Sequence, residues 1–413
     1  MWFGKFYKTH INIAVMKKII VLLSVALLFY GCVNRNKKES IDSVVLNVVV
    51  TPSNNQQKIE LKDITNNLTL IRLETNRECL IKGMPNKVEI FNDRIYIFDI
   101  SYPGKLYCFD LQGKFLFNIS SVGNGPGEYV SLLDFTLDKE NMCLWLGDDA
   151  RKILKYDLNG VFIKQYPTDF SIKNLCLLDE KESIMAIRLG FYKEKKSSFV
   201  IYSMNENQIL YQKESENIAI TRTVAGRFFS ESKKHILYTE PFNDTVFVVT
   251  KEGLAPYYVI DFGKRKFPSE LFDNDPQPRE IITKFTNSDN QYAGLVSNAN
   301  EDSNYLFFNY RFSGLAQTAV YSIKSDKLMS INEFTFMGKP FSASGSLFHI
   351  KKDNKLVYFL PAELFAEKGT LKKEEQQEFG RYSDITKKLP VTMEDDNPIM
   401  VIGEINFDNL FLQ

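Results

Sequence analysis

The sequence predicts an all-β protein, a β-propeller of four-stranded antiparallel blades with short helical insertions. Three observations predict it. The stretch from Lys105 to Phe115 returns without a gap from Lys152 to Phe162, with Asp110 repeated as Asp157. From Ile59 onward the chain is a succession of short runs rich in β-branched and aromatic residues, each closed by Gly, Pro, Asn or Asp. That is the pattern of strands joined by tight turns. Four such runs make a unit of ~40–50 residues, and a lone meander cannot bury both its faces, so repeated units pack face to face around an axis.

Taken in order, the chain opens on a targeting segment. Met16-Lys17-Lys18 supplies a positive start, and Ile19 to Tyr30 is an almost unbroken apolar run. The run is too short for a free-standing transmembrane helix. Gly31-Cys32 follows where a lipoprotein leader is cut. The small Gly31 suits the cleavage pocket, and the Cys32 thiol would carry the diacylglyceryl group. Residues 1–15 lack signal character, so translation is expected to begin at Met16. This divides the chain into a signal peptide over 1–31, a lipidated Cys32 with a polar tether over 32–58, and one propeller domain over 59–413. The tether, Asn34 to Ser40 at its most polar, would hold the domain off the membrane.

Leu68 to Leu73 is the first strand. The first full unit runs through Val88 to Phe91, Arg94 to Asp99, Lys105 to Asp110 and Lys114 to Ile119, with turns at Asn92-Asp93, Pro103-Gly104 and Gln112-Gly113. The second occupies Leu132 to Tyr166. A third, less regular, spans 174–212, and a fourth includes 235–238, 244–249 and 257–261. Pro268, Pro276 and Pro278 then mark an insertion near 268–290 with a short helix from Arg279 to Phe285. Strands resume at 305–310, 318–323 and 327–330, and a hairpin follows at 345–350 and 355–359. The Glu- and Lys-rich 362–388 reads as one or two surface helices. Met400 to Ile405 closes the chain. A circular fold must join its ends, so this strand is expected to share a sheet with 68–73, which removes two exposed edges. Periodicity alone gives six or seven blades.

Lysine plus arginine and aspartate plus glutamate balance at 51 each. Four of the basic residues, Lys5, Lys8, Lys17 and Lys18, precede Cys32 with no acidic residue among them. The remainder is mildly acidic and offers no electrostatic reason for nucleic-acid binding. The cluster Lys193, Lys195 and Lys196 reads as decoration of a solvated hairpin. An exported protein can form disulfides, and Cys79, Cys108, Cys143 and Cys176 allow three pairings. Three of them sit within apolar strand-like runs, so buried free thiols acting as small hydrophobes are the preferred reading.

The leader ending at Cys32, the strand Ile97-Phe98-Asp99, the run Phe109-Asp110-Leu111-Gln112-Gly113-Lys114-Phe115 and then Gly123-Asn124-Gly125-Pro126-Gly127-Glu128-Tyr129 together resemble the six-bladed β-propeller lipoproteins of Bacteroidetes. In that family the glycine-rich run reads GxGPGEY. Asn243 to Phe247, Pro256 to Gly263 and Glu394 to Val401 extend the likeness over nearly the whole mature chain. Tyr30 departs from the small residue expected two positions before the cysteine, which weakens the cleavage site and not the fold. The resemblance implies six blades and a bacterial envelope lipoprotein, on the periplasmic or surface face of the outer membrane. It implies little chemistry.

The residues exclude several chemistries. A phosphate loop needs converging backbone N–H groups and a Lys-Ser/Thr opening a helix; Pro126 has no N–H, no Lys follows, and 132–137 continues as strand. Gly123, Gly125, Pro126 and Gly127 instead read as a tight structural turn between blades, anchored by Glu128 and Tyr129. His235 and His349 lack the spacing of a zinc motif, and Asp148-Asp149 and Asp395-Asp396 lie in no spaced oxygen-ligand loop. Ser342-Ala343-Ser344-Gly345-Ser346 misses the serine-hydrolase elbow and reads as a flexible turn. No metal, cofactor or catalytic residue is therefore expected. A propeller offers a funnel at one end of its axis, lined by loops. The ligand-facing candidates are Glu128, Tyr129, Asp149, Arg151 and Arg227. Arginine beside aromatics suits a sugar or carboxylate, and interblade salt bridging is the plainer role for Arg151 and Arg227.

The expected function is a non-catalytic, lipid-anchored binding module for a glycan, peptide or envelope-protein partner. The alternative is a propeller lyase or hydrolase acting on a glycan or peptide, and a third reading is a structural subunit of an envelope complex. An enzyme would gather perturbed titratable groups in one funnel. A binder would present an aromatic or apolar patch, and a structural subunit a large apolar patch on the blade rim.

Overall fold

Six sheets stand around one axis as the blades of a propeller, and a seventh, small sheet lies beside them. The structure, a computed structural model, describes residues 45–411 apart from 54–56, 84, 182, 193–196, 216–217, 225, 233–234, 274–275, 342–347, 351–354 and 367–392. The leader, Met16 and Cys32, the lysine cluster 193–196, the serine-rich turn 342–346 and the insertion beyond Ala366 lie outside the described residues.

Three strands precede the first repeat: β1 (Leu46–Val49), β2 (Lys58–Glu60) and β3 (Thr65–Arg72). Blade 1 is β4 (Lys87–Phe91), β5 (Arg94–Asp99), β6 (Lys105–Asp110) and β7 (Phe115–Ile119). Blade 2 is β8 (Leu132–Asp138), β9 (Cys143–Asp148), β10 (Lys152–Asp157) and β11 (Phe162–Pro167). Blade 3 is β12 (Phe170–Asp179), β13 (Ile184–Tyr192), β14 (Ser197–Ser203) and β15 (Gln208–Glu214). Blade 4 is β16 (Phe229–Glu231), β17 (Ile236–Tyr238), β18 (Thr245–Thr250) and β19 (Gly253–Asp261). Blade 5 is β20 (Ala293–Glu301), β21 (Tyr305–Phe312), β22 (Leu315–Ser322) and β23 (Lys327–Ile331). After β24 (Glu333–Phe336) and β25 (Lys339–Phe341), blade 6 is β26 (Phe348–Ile350), β27 (Lys355–Leu360) and β28 (Ile399–Ile405), completed by β3 as its outermost strand. Within each blade neighbouring strands run antiparallel.

The repeat has a local cause. Asp110 Oδ1 accepts the backbone N–H groups of Gln112 and Lys114, both at 2.9 Å, and Asp157 Oδ1 accepts those of Asn159 and Val161, both at 2.8 Å. Each aspartate holds its turn closed from within. Gly113 and Gly160 follow at φ +84° and +79°, where only glycine sits without cost. Between blades the apolar faces interlock: Phe98, Leu106 and Cys108 from blade 1 pack with Phe135, Leu146 and Leu154 from blade 2. Cys79, Cys108, Cys143 and Cys176 are all buried free thiols.

The ring closes as the ends require. β28 pairs antiparallel with β3, from Ile399 opposite Arg72 to Ile405 opposite Thr65. Arg72 adds an ion pair to Asp396 at 2.8 Å. One boundary differs from expectation. The tether expected to reach residue 58 ends earlier, because β1 joins blade 4 as a fifth strand parallel to β19. Farther on, β2 runs parallel to β24 in the small sheet. Val48 of β1 and the adjacent Val50 are buried; the run from Val44 to Val50 is apolar apart from Asn47, but it stands before the first repeat and so reads as part of the tether.

Candidate functional site

The two ends of the propeller are built differently. At one end the strands turn over two to four residues, as at 92–93, 139–142, 251–252 and 302–304. The opposite end carries the long crossings between blades, 73–86, 120–131, 215–228 and 262–292, and the blade 6 insertion 361–398. Loop length is free to grow where it is not needed for strand pairing, and function concentrates there. Glu128, Tyr129, Asp149, Arg151 and Arg227 all belong to this elaborated end.

The glycine-rich crossing folds back on itself. Tyr129 donates its backbone N–H to Ser121 O at 3.0 Å, and Gly123 N–H returns to Tyr129 O at 2.9 Å. The Glu128 carboxylate accepts the Gly125 N–H at 2.8 Å, so its oxygen is committed to its own loop. Gly127 has φ +76°, and a Cβ there would lie 2.8 Å from Cγ of Phe162. Tyr129, expected to face a ligand, is fully buried between blades 1 and 2. Its hydroxyl donates to Gly104 O at 2.6 Å, and burial raises its pKa. A ring so placed has no free polar tip to offer. Asp149 and Arg151 lie exposed in the β9–β10 turn, tied to the neighbouring crossings through Asp149 N–H to Ser131 O and Thr168 N–H to Arg151 O.

Arg227 belongs to a second group, around the axis. Residues of the inner strands, with the chain just before β16, form a belt of polar contacts from blade 1 to blade 5. Lys87 Nζ of blade 1 donates to Asp134 Oδ1 at 3.0 Å and to Phe135 O at 2.6 Å, both in blade 2. Asp134 Oδ2 accepts the Leu175 N–H of blade 3 at 3.1 Å. Asn174 Nδ2 donates to Gly226 O at 3.3 Å, and Asn298 N–H of blade 5 donates to Arg227 O at 2.9 Å. Burial lowers the Arg227 pKa to about 10, opposed by the negative charges of Glu89 and Asp134 from blades 1 and 2. For Lys87, burial also works against the charge, but Asp134 and Glu89 outweigh it and its pKa is raised. Burial, with Glu231 next, drives the Cys176 thiol well above its ordinary range.

Arg188 fixes the crossing that delivers Arg227. Its guanidinium donates to Asn174 Oδ1 at 3.2 Å, to Val224 O at 2.6 Å and to Thr221 O, and lies 4.4 Å from the centre of the Phe228 ring. Helix Ile218–Thr223 of this crossing packs with helix Pro278–Thr286 of the next, where Ile220, Phe267, Ile281 and Phe285 form a small core. The expected insertion near 268–290 is thus half of a cap over blades 3 to 5.

Among the described residues blades 1 and 2 carry no such cap, and their loops expose apolar side chains: Leu80, Ile100, Tyr102, Val122 and Val130, with Tyr102 at 78% and Val122 at 53% exposure. These loops are knitted together. Tyr107 Oη donates to Leu80 O, Lys82 N–H to Asp99 Oδ2, Leu132 N–H to Pro103 O, and Val122 bridges Tyr129. The residues of this band carry no catalytic motif, so sequence reasoning passed over them. Lys87, Asp134 and Asn174 were missed because they lie far apart in the chain and belong to no recognisable motif. Among the described residues no group of three or more His, Cys, Asp or Glu side chains could hold a metal, and no helix is long and apolar enough to cross a membrane.

A family model described as a domain of unknown function, DUF4934, matches residues 43–404. The chain belongs to that family. The DUF4934 match begins just before β1, not at the first blade. No curated protein matches the chain. Among solved structures, a candidate exported protein of Bacteroides fragilis is 18% identical with a TM-score of 0.67, covering 88% of this chain and 99% of that one. A member of the duf4221 family from Bacteroides vulgatus is 10% identical with a TM-score of 0.46, covering 83% and 97%. At such identities the likeness is one of fold.

Proposed function

We propose that this DUF4934 propeller is a lipid-anchored envelope protein that works as a non-catalytic interaction module, taking a peptide or protein partner on the loops of blades 1 and 2. The exposed band Leu80, Ile100, Tyr102, Val122 and Val130 carries the reading. Solvent-facing apolar groups gathered at one place mark a contact surface, and a protruding tyrosine is a common anchor of one. Asp149 and Arg151 border it as polar rim. A glycan would need more hydrogen-bonding groups than this band offers, although Tyr102 could stack on a sugar face.

The charged and thiol groups around the axis support a binder over an enzyme. Lys87 is pushed up, Arg227 stays charged at about 10, and Cys176 is held as a thiol; none is moved to the neutral range where general acid–base catalysis works. The GxGPGEY-type crossing and the leader ending in Gly31-Cys32 support the lipoprotein part, as does the fold shared with an exported-protein candidate. Fatty-acid labelling in cells tests the anchor: the label should disappear in Cys32→Ala, and retention would sink it. The binding claim is tested by screening the chain against peptide, protein and glycan arrays. Hits should be lost in the Tyr102→Ser/Val122→Ser double variant at unchanged stability. Hits that ignore both substitutions would place the site elsewhere.

A further inference from the structure

The strap that precedes the propeller treats three neighbouring sheet edges in two ways. It pairs with the outer edge of blade 4 through β1, from Leu46 opposite Tyr258 to Val49 opposite Asp261, and Val50 N–H adds a last bond to Asp261 O at 2.8 Å. It pairs again through β2, from Lys58 opposite Glu333 to Glu60 opposite Thr335. Between these, no described residue of the strap pairs with blade 5 as a strand. β23 is the last strand of its sheet, so among the described residues its outer edge has no strand partner.

The passage leaves a groove of 650 Å³. One wall is the strap, with Val49, Thr51, Ser53 and Gln57; the other is the edge strand, with Leu328, Met329 and Ser330, and Asn332 closes the end. The strap is pinned at this spacing by side-chain bonds. Gln57 N–H donates to Asn332 Oδ1 at 3.1 Å and Gln57 Nε2 to Met329 Sδ at 3.3 Å, while Gln317 Nε2 and Asn332 Nδ2 donate to Ser53 O at 3.1 and 3.3 Å. Strands lie ~4.8 Å apart, sheets ~10 Å, and each residue advances ~3.3 Å. The groove therefore has room for about four residues of extended chain, the length of β1 itself.

An open edge turns a row of backbone N–H and C=O groups outward, and proteins usually guard it with charge or cover. Here none of the lining side chains is charged. We propose that this groove is a peptide-binding site, in which an extended, uncharged segment of a partner adds to β23 as the fifth strand of blade 5. Main-chain bonds to the edge supply the affinity, and alternate side chains meet Leu328 and Met329 or the amides of Gln57 and Asn332. Blade 4 already shows the product of such an addition, with β1 in the guest's place. Lysine and arginine or acidic residues in the guest would be desolvated without a partner and are disfavoured.

The test uses the full chain and a panel of capped, fluorescein-labelled hexapeptides in which Val alternates with Thr, Ser, Asn or Gln, read by fluorescence anisotropy. At least one member should bind saturably. Met329→Lys should weaken that binding tenfold or more, whereas Ile163→Lys on the outer strand of blade 2 should leave it unchanged, with both variants checked for an unaltered melting temperature. N-methylation of one alternate set of peptide amides should abolish binding, and methylation of the other set should not. Absence of saturable binding across the panel, indifference to Met329→Lys, or equal response to the two methylation sets would overturn the proposal. None of these outcomes bears on the blade 1 surface, which is scored by Tyr102 and Val122.

Discussion

The belt around the axis makes Asp134 the residue on which three blades depend. Asp134→Ala removes the acceptor of Lys87 Nζ and of the Leu175 N–H, together with that of the Phe135 N–H at 2.8 Å. Both members of the Lys87–Asp134 pair are largely withdrawn from water, with side-chain exposures of 17% and 7%. Removing one partner of a buried pair strands the other charge, which costs about 3–5 kcal/mol. Lys87 keeps its bond to Phe135 O, which favours the lower half of that range. Lys87→Met is gentler, because Asp134 retains its backbone donors; the loss of one charged hydrogen bond costs about 1.5–3 kcal/mol. The double variant should be less damaged than the two single losses added together, by about 0.5–3 kcal/mol. Equilibrium urea unfolding followed by the fluorescence of Trp145, buried in blade 2, measures all three. A loss below about 1 kcal/mol for Asp134→Ala, outside the range for a buried pair, or strict additivity in the cycle, would refute the belt as a joint between blades.

Gly127→Ala should destabilise by at least the ~1–2 kcal/mol of a left-handed backbone, with the Phe162 contact added, whereas Gly125→Ala, whose new methyl would meet only the far end of the Glu128 side chain, should be milder; equal losses in thermal unfolding would contradict the geometry. Burial pushes the Cys108 and Cys143 thiols up to about 12 and holds Cys176 well above its ordinary range, so these three should resist iodoacetamide at pH 8 in the native protein and all react in urea, as read by mass spectrometry. Burial, against the opposing pull of Lys266, raises the Asp244 pKa above its ordinary value. The native state then holds that proton longer than the unfolded chain, and stability contributed at low pH is lost as pH rises through the raised value. Asp244→Asn should remove that loss: its stability relative to the parent should grow from pH 3.5 to pH 7, and a constant difference would count against the assignment.

Much of the fold was legible because its signals are local. Asp110 and Asp157 close their turns with their own carboxylates, Gly113 and Gly160 supply the positive φ, and the strands between them alternate cleanly enough to be counted. The less legible strands share a reason. β20 reads Ala-Gly-Leu-Val-Ser-Asn-Ala-Asn-Glu, with positive φ at Leu295 and Asn298 and two register shifts against β21. An inner strand of this kind lines the axis with polar groups and bulges to do so, which erases the alternation by which strands are recognised. β16 is three residues long and was overlooked for want of length.

The candidate sites divide in the same way. Arg227 stood out as an arginine beside aromatics, but its companions Lys87, Asp134 and Asn174 are separated from it by up to 140 residues of chain and meet only because the inner strands converge. Glu128 and Tyr129 carry the strongest motif in the chain, and the structure spends one on its own loop and the other inside a blade interface. The band from Leu80 to Val130 has no motif at all.

By itself the sequence determined the repeated meander and the closure of the ring by strands from both ends, since each is written in residues near one another or in simple periodicity. Only the tertiary structure decided that β1 and β2 pair with the sheets on either side of β23, that among the described residues the β23 edge has no strand partner, and which polar residues face the axis. Those are questions of which surfaces meet, and they are answered by burial and backbone pairing between residues hundreds of positions apart.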